Sequence, residues 1–199
     1  MNRVTTMPIN GSVELTGHTG CGGGCSQREE GCRCTSLGEE TPPVLLLALG
    51  NPLMSDDGAG QELLAGLESE SASWGPRVEF MDGGTQGLAL LGTFEERKSV
   101  VFLDAIRLGD KAGAVHLLRG EELMRLGRRS ATTAHEGSAP QILAALQLLG
   151  EVPADVAMIG IEPELIKTGI GLSAAVQSSL GIAATFARAA VQKALARME

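Results

Sequence analysis

Five residues of the chain have the types and surroundings that chemistry needs. Asp56 and Asp57 stand side by side in Gly50-Asn51-Pro52-Leu53-Met54-Ser55-Asp56-Asp57-Gly58-Ala59-Gly60. Asp82 opens Asp82-Gly83-Gly84-Thr85, Asp104 ends an apolar run, and His135 lies in the polar stretch Thr132-Thr133-Ala134-His135-Glu136-Gly137. Two carboxylates and one imidazole make a set of oxygen and nitrogen donors. Such a set suits a divalent ion of nickel, zinc or manganese type and leaves coordination positions open. Each residue also has a plainer role. Asp56 can cap a helix, and Asp57 can sit in a first turn favoured by the helix dipole. Asp104 can end a strand in an Asx turn, and Asp82 with Gly83 and Gly84 can be a tight turn. Of the other histidines, His18 lies among cysteines and His116 falls within an apolar segment, where a hydrogen-bonded strand residue is expected.

Elements must bring these residues together. Val44-Leu45-Leu46-Leu47-Ala48-Leu49, closed by Gly50, reads as a buried strand. A helix is expected at about 57–67, with Leu63, Leu64 and Leu67 on one face. Further strands are expected at 77–81, 99–103, 114–118 and 155–161. A short helix is expected around 88–92, and a longer one at 138–149 with Ser138 as its cap and Pro140 in its first turn. Ser173 is placed to cap a final Ala-rich helix that runs to about Arg197. Strands alternating with helices imply a three-layer α/β domain with a mostly parallel central sheet of about five strands. In such sheets ligands bind at the carboxyl ends of the strands. Asp57, Asp82 and Asp104 each follow or end a strand, so all three are expected at one edge.

Composition narrows the function classes. The 199 residues are 43% hydrophobic and 20% charged, which suits a water-soluble domain with a real core. Aromatics are only 3%, so stacking platforms for bases are not expected. The net charge of -8 argues against nucleic-acid and membrane partners, which attract Lys and Arg clusters. No apolar run reaches bilayer length and the start lacks a signal-type stretch, so a cytoplasmic location is expected. The Gly50–Gly60 loop follows a strand and precedes a helix, as a phosphate loop would. It is neither Gly-x-Gly-x-x-Gly nor Gly-Lys-Ser/Thr, and its paired carboxylates would repel phosphate, so nucleotide binding is excluded.

Residues 1–41 differ from the rest. They are rich in Gly, Ser and Thr, poor in large apolar residues, and closed by Pro42-Pro43. A largely irregular extension is expected there. All four cysteines lie in it, as Cys21-x3-Cys25-x6-Cys32-x-Cys34. Four thiolates can hold zinc or an iron–sulfur cluster. The spacing matches no standard finger or ferredoxin, and a flexible reduced tail is the alternative. The body cannot rely on disulfides.

The eleven-residue loop Gly50–Gly60 resembles the signature loop of the hydrogenase maturation proteases. Asp82-Gly83-Gly84-Thr85-x-Gly87 resembles that family's second motif, and Asp104-Ala105 after an apolar strand its third. Gly160-Ile161-Glu162-Pro163-Glu164, with Gly171-Leu172-Ser173, resembles the strand and loop before the last helix. The matches occur in order across 42–199. The resemblance implies a peptide hydrolase, of aspartic or metal-dependent type, that removes the C-terminal extension of the nickel–iron hydrogenase large-subunit precursor. It implies metal ligands at Asp57, Asp104 and His135, with Asp57 or Asp104 as base, and a cleft shaped by Asp82, Gly83 and Gly84. The nickel it implies arrives in the substrate. A nickel-precursor-binding chaperone without cleavage, or a related peptidase with another substrate, remains the alternative. The Cys-rich extension has no counterpart in the typical family pattern.

Overall fold

The computed structural model describes residues 41–129 and 137–199. Five strands form one sheet: β1 (Val44–Leu49), β2 (Val78–Gly84), β3 (Ser99–Ala105), β4 (Val115–Arg119) and β5 (Asp155–Ile161), in the order β2-β1-β3-β5-β4. All neighbours are parallel except β4 and β5. The helices are α1 (Ala59–Glu68), α2 (Ser71–Trp74), α3 (Gly120–Arg129), α4 (Ala139–Leu149) and α5 (Ala174–Ala196). None of them, among the described residues, is long and apolar enough to cross a membrane.

β1 has no polar side because it has no exposed side: all six residues are buried. Val44, Leu46 and Ala48 pack with α1 and α5, while Leu45, Leu47 and Leu49 pack with the layer that contains α4. Alternate residues of β3 and β5 divide in the same way. Two cores on opposite faces of one sheet make the three layers that the alternation of elements implies.

Several elements depart from expectation. The expected helix at 57–67 begins with a separate 3-10 turn, Ser55–Gly58, and its α part starts at Ala59. The expected short helix at 88–92 is a 3-10 run, Gly87–Phe94. Two helices were not anticipated, α2 and α3. β4 runs against β5 because residues 106–114 are too few for a helical crossover from β3.

Ser173 caps α5 as expected, accepting from the Val176 N–H at 3.3 Å. Ser138 occupies the cap position of α4, but its hydroxyl makes no cap bond and, among the described residues, is buried without a partner. The side chain of Gln141 instead accepts the Gly137 N–H at 2.7 Å.

Candidate active site at the switch point of the sheet

After β1 the chain moves to one side, to β2, and returns on the other side as β3. Between the carboxyl ends of β1 and β3 the connections diverge, and a crevice opens. A cleft of about 660 Å³ lies there, with Gly50, Met54, Asp57, Gly84, Asp104 and Ile106 among its lining residues.

The loop that follows β1 is built for this position. Gly50 has φ +115°, and a Cβ there would strike the Asp57 carbonyl oxygen, so the turn admits only glycine. Gly60 lets α1 lie directly on the strand ends, because a Cβ would strike the carbonyl oxygens of Leu49 and Leu103. Asn51 donates its N–H to Asp57 Oδ2 at 2.8 Å, which fixes one carboxylate oxygen.

A second loop holds the first. Asp56 is fully buried, and its carboxylate accepts three backbone N–H groups: Glu164 at 2.9 Å, Leu165 at 3.0 Å and Ser173 at 2.6 Å. Burial raises its pKa, but the bonds from Ser173, Leu165 and Glu164 outweigh burial and hold it below the ordinary carboxylate value. Ser55, with φ +53°, is kept in the left-handed region by its N–H on the Gly169 carbonyl at 2.8 Å. Its hydroxyl donates to the Lys167 carbonyl at 3.1 Å. Asp56 is therefore not a helix cap. It is a clamp between segments more than a hundred residues apart, which spacing along the sequence cannot reveal.

Asp104 ends β3 on the same side as Val100 and Phe102, the α4 side of the sheet. It is only 8% exposed. Burial first, and then the charge of Asp57, push its pKa up to about 8, with partial relief from the Ala105 N–H. At neutral pH without a cation, Asp104 therefore retains its proton. A divalent ion between Asp57 and Asp104 would reverse this, since a nearby positive charge favours both ionised forms.

The structure thus brings Asp57 and Asp104 together in one cleft. Asp82 is exposed and turned to local work, accepting the Gly84 N–H at 2.9 Å and the Gln61 amide at 3.3 Å. Of the Asp82-Gly83-Gly84 motif, Gly84 lines the cleft. Among the described residues no third His, Cys, Asp or Glu joins Asp57 and Asp104 in a metal-sized cluster. His135 and the cysteines Cys21, Cys25, Cys32 and Cys34 lie outside the described residues. Gly137, Ser138 and Pro140 do line the cleft wall.

Two further residues matter here: Gln61, which was not singled out from sequence, and Glu162, which stands in a family-like motif that gave it no role. Gln61 donates to the Gly50 carbonyl at 2.8 Å and so ties α1 to the loop after β1. Glu162 is buried and accepts the N–H groups of Leu108 at 2.8 Å and Gly109 at 3.3 Å, shaping the loop after Asp104.

A three-layer α/β protein with paired carboxylates at the switch point is an enzyme-like arrangement, with a cleft open to a ligand. The family model described as hydrogenase maturation protease matches residues 63–189. The hydrogenase 2 maturation protease of Escherichia coli is 32% identical over 138 residues, covering 69% of this chain and 83% of that protein. The hydrogenase expression/formation protein HupD of Rhodobacter capsulatus is 30% identical over 141 residues, covering 70% of this chain and 67% of its own length. Among solved structures, the hydrogenase maturating endopeptidase HybD from E. coli superposes with a TM-score of 0.67 at 30% identity, over 75% of this chain and 92% of that one. The chain belongs to the hydrogenase maturation protease family.

Proposed function

We propose that the protein removes the C-terminal extension of a nickel–iron hydrogenase large-subunit precursor after nickel insertion, acting in the cytoplasm. The observation that carries this reading is the pairing of Asp57 with a buried, proton-retaining Asp104 in a cleft at the switch point. Such a pair is poor at holding two negative charges alone and well suited to receive a cation that arrives with a substrate. The nickel of the precursor is that cation, with Asp57, Asp104 and His135 as the ligands contributed by the protease. His135 is assigned on its place in the chain, two residues before the cleft-lining Gly137.

In the hydrolysis, a water oxygen adds to the scissile carbonyl carbon and its proton passes to a carboxylate. The C–N bond then breaks and the departing amine takes up that proton. Asp57 or Asp104, once released from the metal, is the proton carrier. Nickel polarises the carbonyl or lowers the pKa of the water. The four N-terminal cysteines, Cys21, Cys25, Cys32 and Cys34, are proposed as a separate site for zinc or an iron–sulfur cluster. Full-length protein with neither metal bound, and unchanged cleavage after deletion of residues 1–41, would remove that assignment.

The test is cleavage of purified precursor with and without nickel, read by mass spectrometry. Loss of a C-terminal peptide only with nickel is expected, with Asp57→Ala and His135→Ala each reducing the rate at least a hundredfold, as expected for loss of a metal ligand (roughly two orders of magnitude or more). Nickel-loaded precursor that binds tightly but stays intact would mean a chaperone. Equal cleavage without nickel would mean a peptidase of another kind.

A further inference from the structure

Two exposed apolar residues stand on neighbouring loops beside the cleft. Leu53 is 60% exposed and Ile170 88% exposed. Their backbones are laced: Gly169 donates its N–H to the Leu53 carbonyl at 2.9 Å, and Ser55 donates to the Gly169 carbonyl at 2.8 Å. Met54 and Gly169 form a parallel bridge between them. The same two loops also furnish the cleft wall, through Met54 on one and Ile166 on the other. Leu108, partly exposed, adds to that wall.

A lone exposed leucine or isoleucine is ordinary on a protein surface. These two are placed differently. The loop that carries Ile170 is fastened by three bonds to the buried Asp56 and by the Ser55 hydroxyl. Ile170 is held out in water by a stapled backbone. Burying a side chain that is already positioned loses little loop entropy, so this pair is prepared for contact with a partner.

We propose that Leu53 and Ile170 form a docking lip for the precursor polypeptide. An extended segment with apolar side chains beside the scissile bond crosses this lip and continues into the cleft at Asp57 and Asp104. The inference rests on the function proposed above and adds where the substrate chain is held. Continuity selects the occupant. Leu53 precedes the cleft-lining Met54 and Ile170 follows Gly169, which is bridged to Met54, so both stand beside the cleft wall, and a substrate whose backbone is cut in the cleft must cross its rim. Apolar contact there, made equally in the ground state and the transition state, lowers KM without altering the chemistry.

The experiment uses the full chain and nickel-loaded precursor. Leu53→Ser with Ile170→Ser is compared with Leu148→Ser, a change at a site 90% exposed. Leu148 lies on α4, about 12 Å along the helix from the cleft-lining Pro140. The double variant is expected to raise KM and the Kd for uncut precursor roughly tenfold, with kcat within about twofold. Leu148→Ser is expected to change none of these. Ile170→Ser alone, at the more exposed site, serves if the double variant unfolds early. Unchanged KM and Kd in the lip variants, or an equal rise with Leu148→Ser, would overturn the lip and leave the protease reading standing. A wild-type protein that binds precursor without cutting it overturns the protease reading and leaves the lip to be judged by Kd. A wild-type protein that neither binds nor cuts overturns both.

Discussion

Asp104 and Asp56 are two buried carboxylates with opposite fates, and their pH behaviour should differ in sign. The pKa of Asp104 is pushed up to about 8 in the folded protein, against 3.8 for the unfolded reference. Between these values the folded state holds a proton that the unfolded state has released. The contribution of Asp104 to stability therefore falls as pH rises across that window. Asp104→Asn should flatten this dependence in nickel-free protein and raise Tm at pH 8 by roughly 5 °C, while abolishing cleavage; a thermal scan against pH checks it. Asp56 is the reverse case. Its folded pKa is depressed, so its contribution is complete above 3.8 and is lost as pH falls through the lower folded value. Asp56→Ala leaves three N–H groups without their shared acceptor and should cost about 3 kcal/mol at pH 7, measured by urea unfolding.

At the level of elements, the two helices with serine at the cap position make a contrast. Ser173→Ala removes a cap bond and should destabilise by about 1 kcal/mol. Ser138→Ala removes a hydroxyl that has no partner among the described residues, and should be neutral within about 0.5 kcal/mol. Equilibrium denaturation of the pair checks both. The sequence makes both serines look alike, since each precedes a helix. The difference lies in Gln141, whose side chain takes over the Gly137 N–H at the start of α4. The same limit explains the rest of what was and was not legible. β1, β3 and β5 were plain because continuous burial writes an uninterrupted apolar run. α3 was not, because among its described side chains Leu123 alone is in the buried core and its first turn is acidic. Asp57 and Asp104 were legible because strand ends are visible in sequence and the sheet places them. The Asp56 clamp and the role of Glu162 depend on pairing between distant segments, which periodicity does not encode.

For the molecule as a whole, the proposed function would couple proton release to partner binding. If Asp104 carries a proton in the free protein and loses it to a nickel ligand bond, docking of loaded precursor must release about one proton near pH 7. Calorimetry in buffers of different ionisation enthalpy should detect that release. Affinity should weaken by up to about tenfold per pH unit below the Asp104 value of about 8. Nickel-free precursor should show neither effect. An acidic surface with net charge -8 also predicts that association with a basic region of the precursor slows as salt rises, whereas the contribution of an apolar lip does not.

The lacing of the loop after β1 to the loop after β5 bears on when the protein becomes active. Asp56 and Ser173 are separated by 117 positions, so their bond closes a long circuit of chain. Closing one of that length costs about 4 kcal/mol in chain entropy before any contact offsets it. Native topologies dominated by such distant pairings fold slowly. The segment bearing Asp57 leaves the ribosome early and can make its local bonds, from the Asn51 N–H to Asp57 and from Gln61 to the Gly50 carbonyl, yet the full clamp on Asp56 waits for the segment from Glu164 to Ser173. A nascent or truncated chain ending before that segment would carry both carboxylates without the clamp that fixes the loop bearing Asp57.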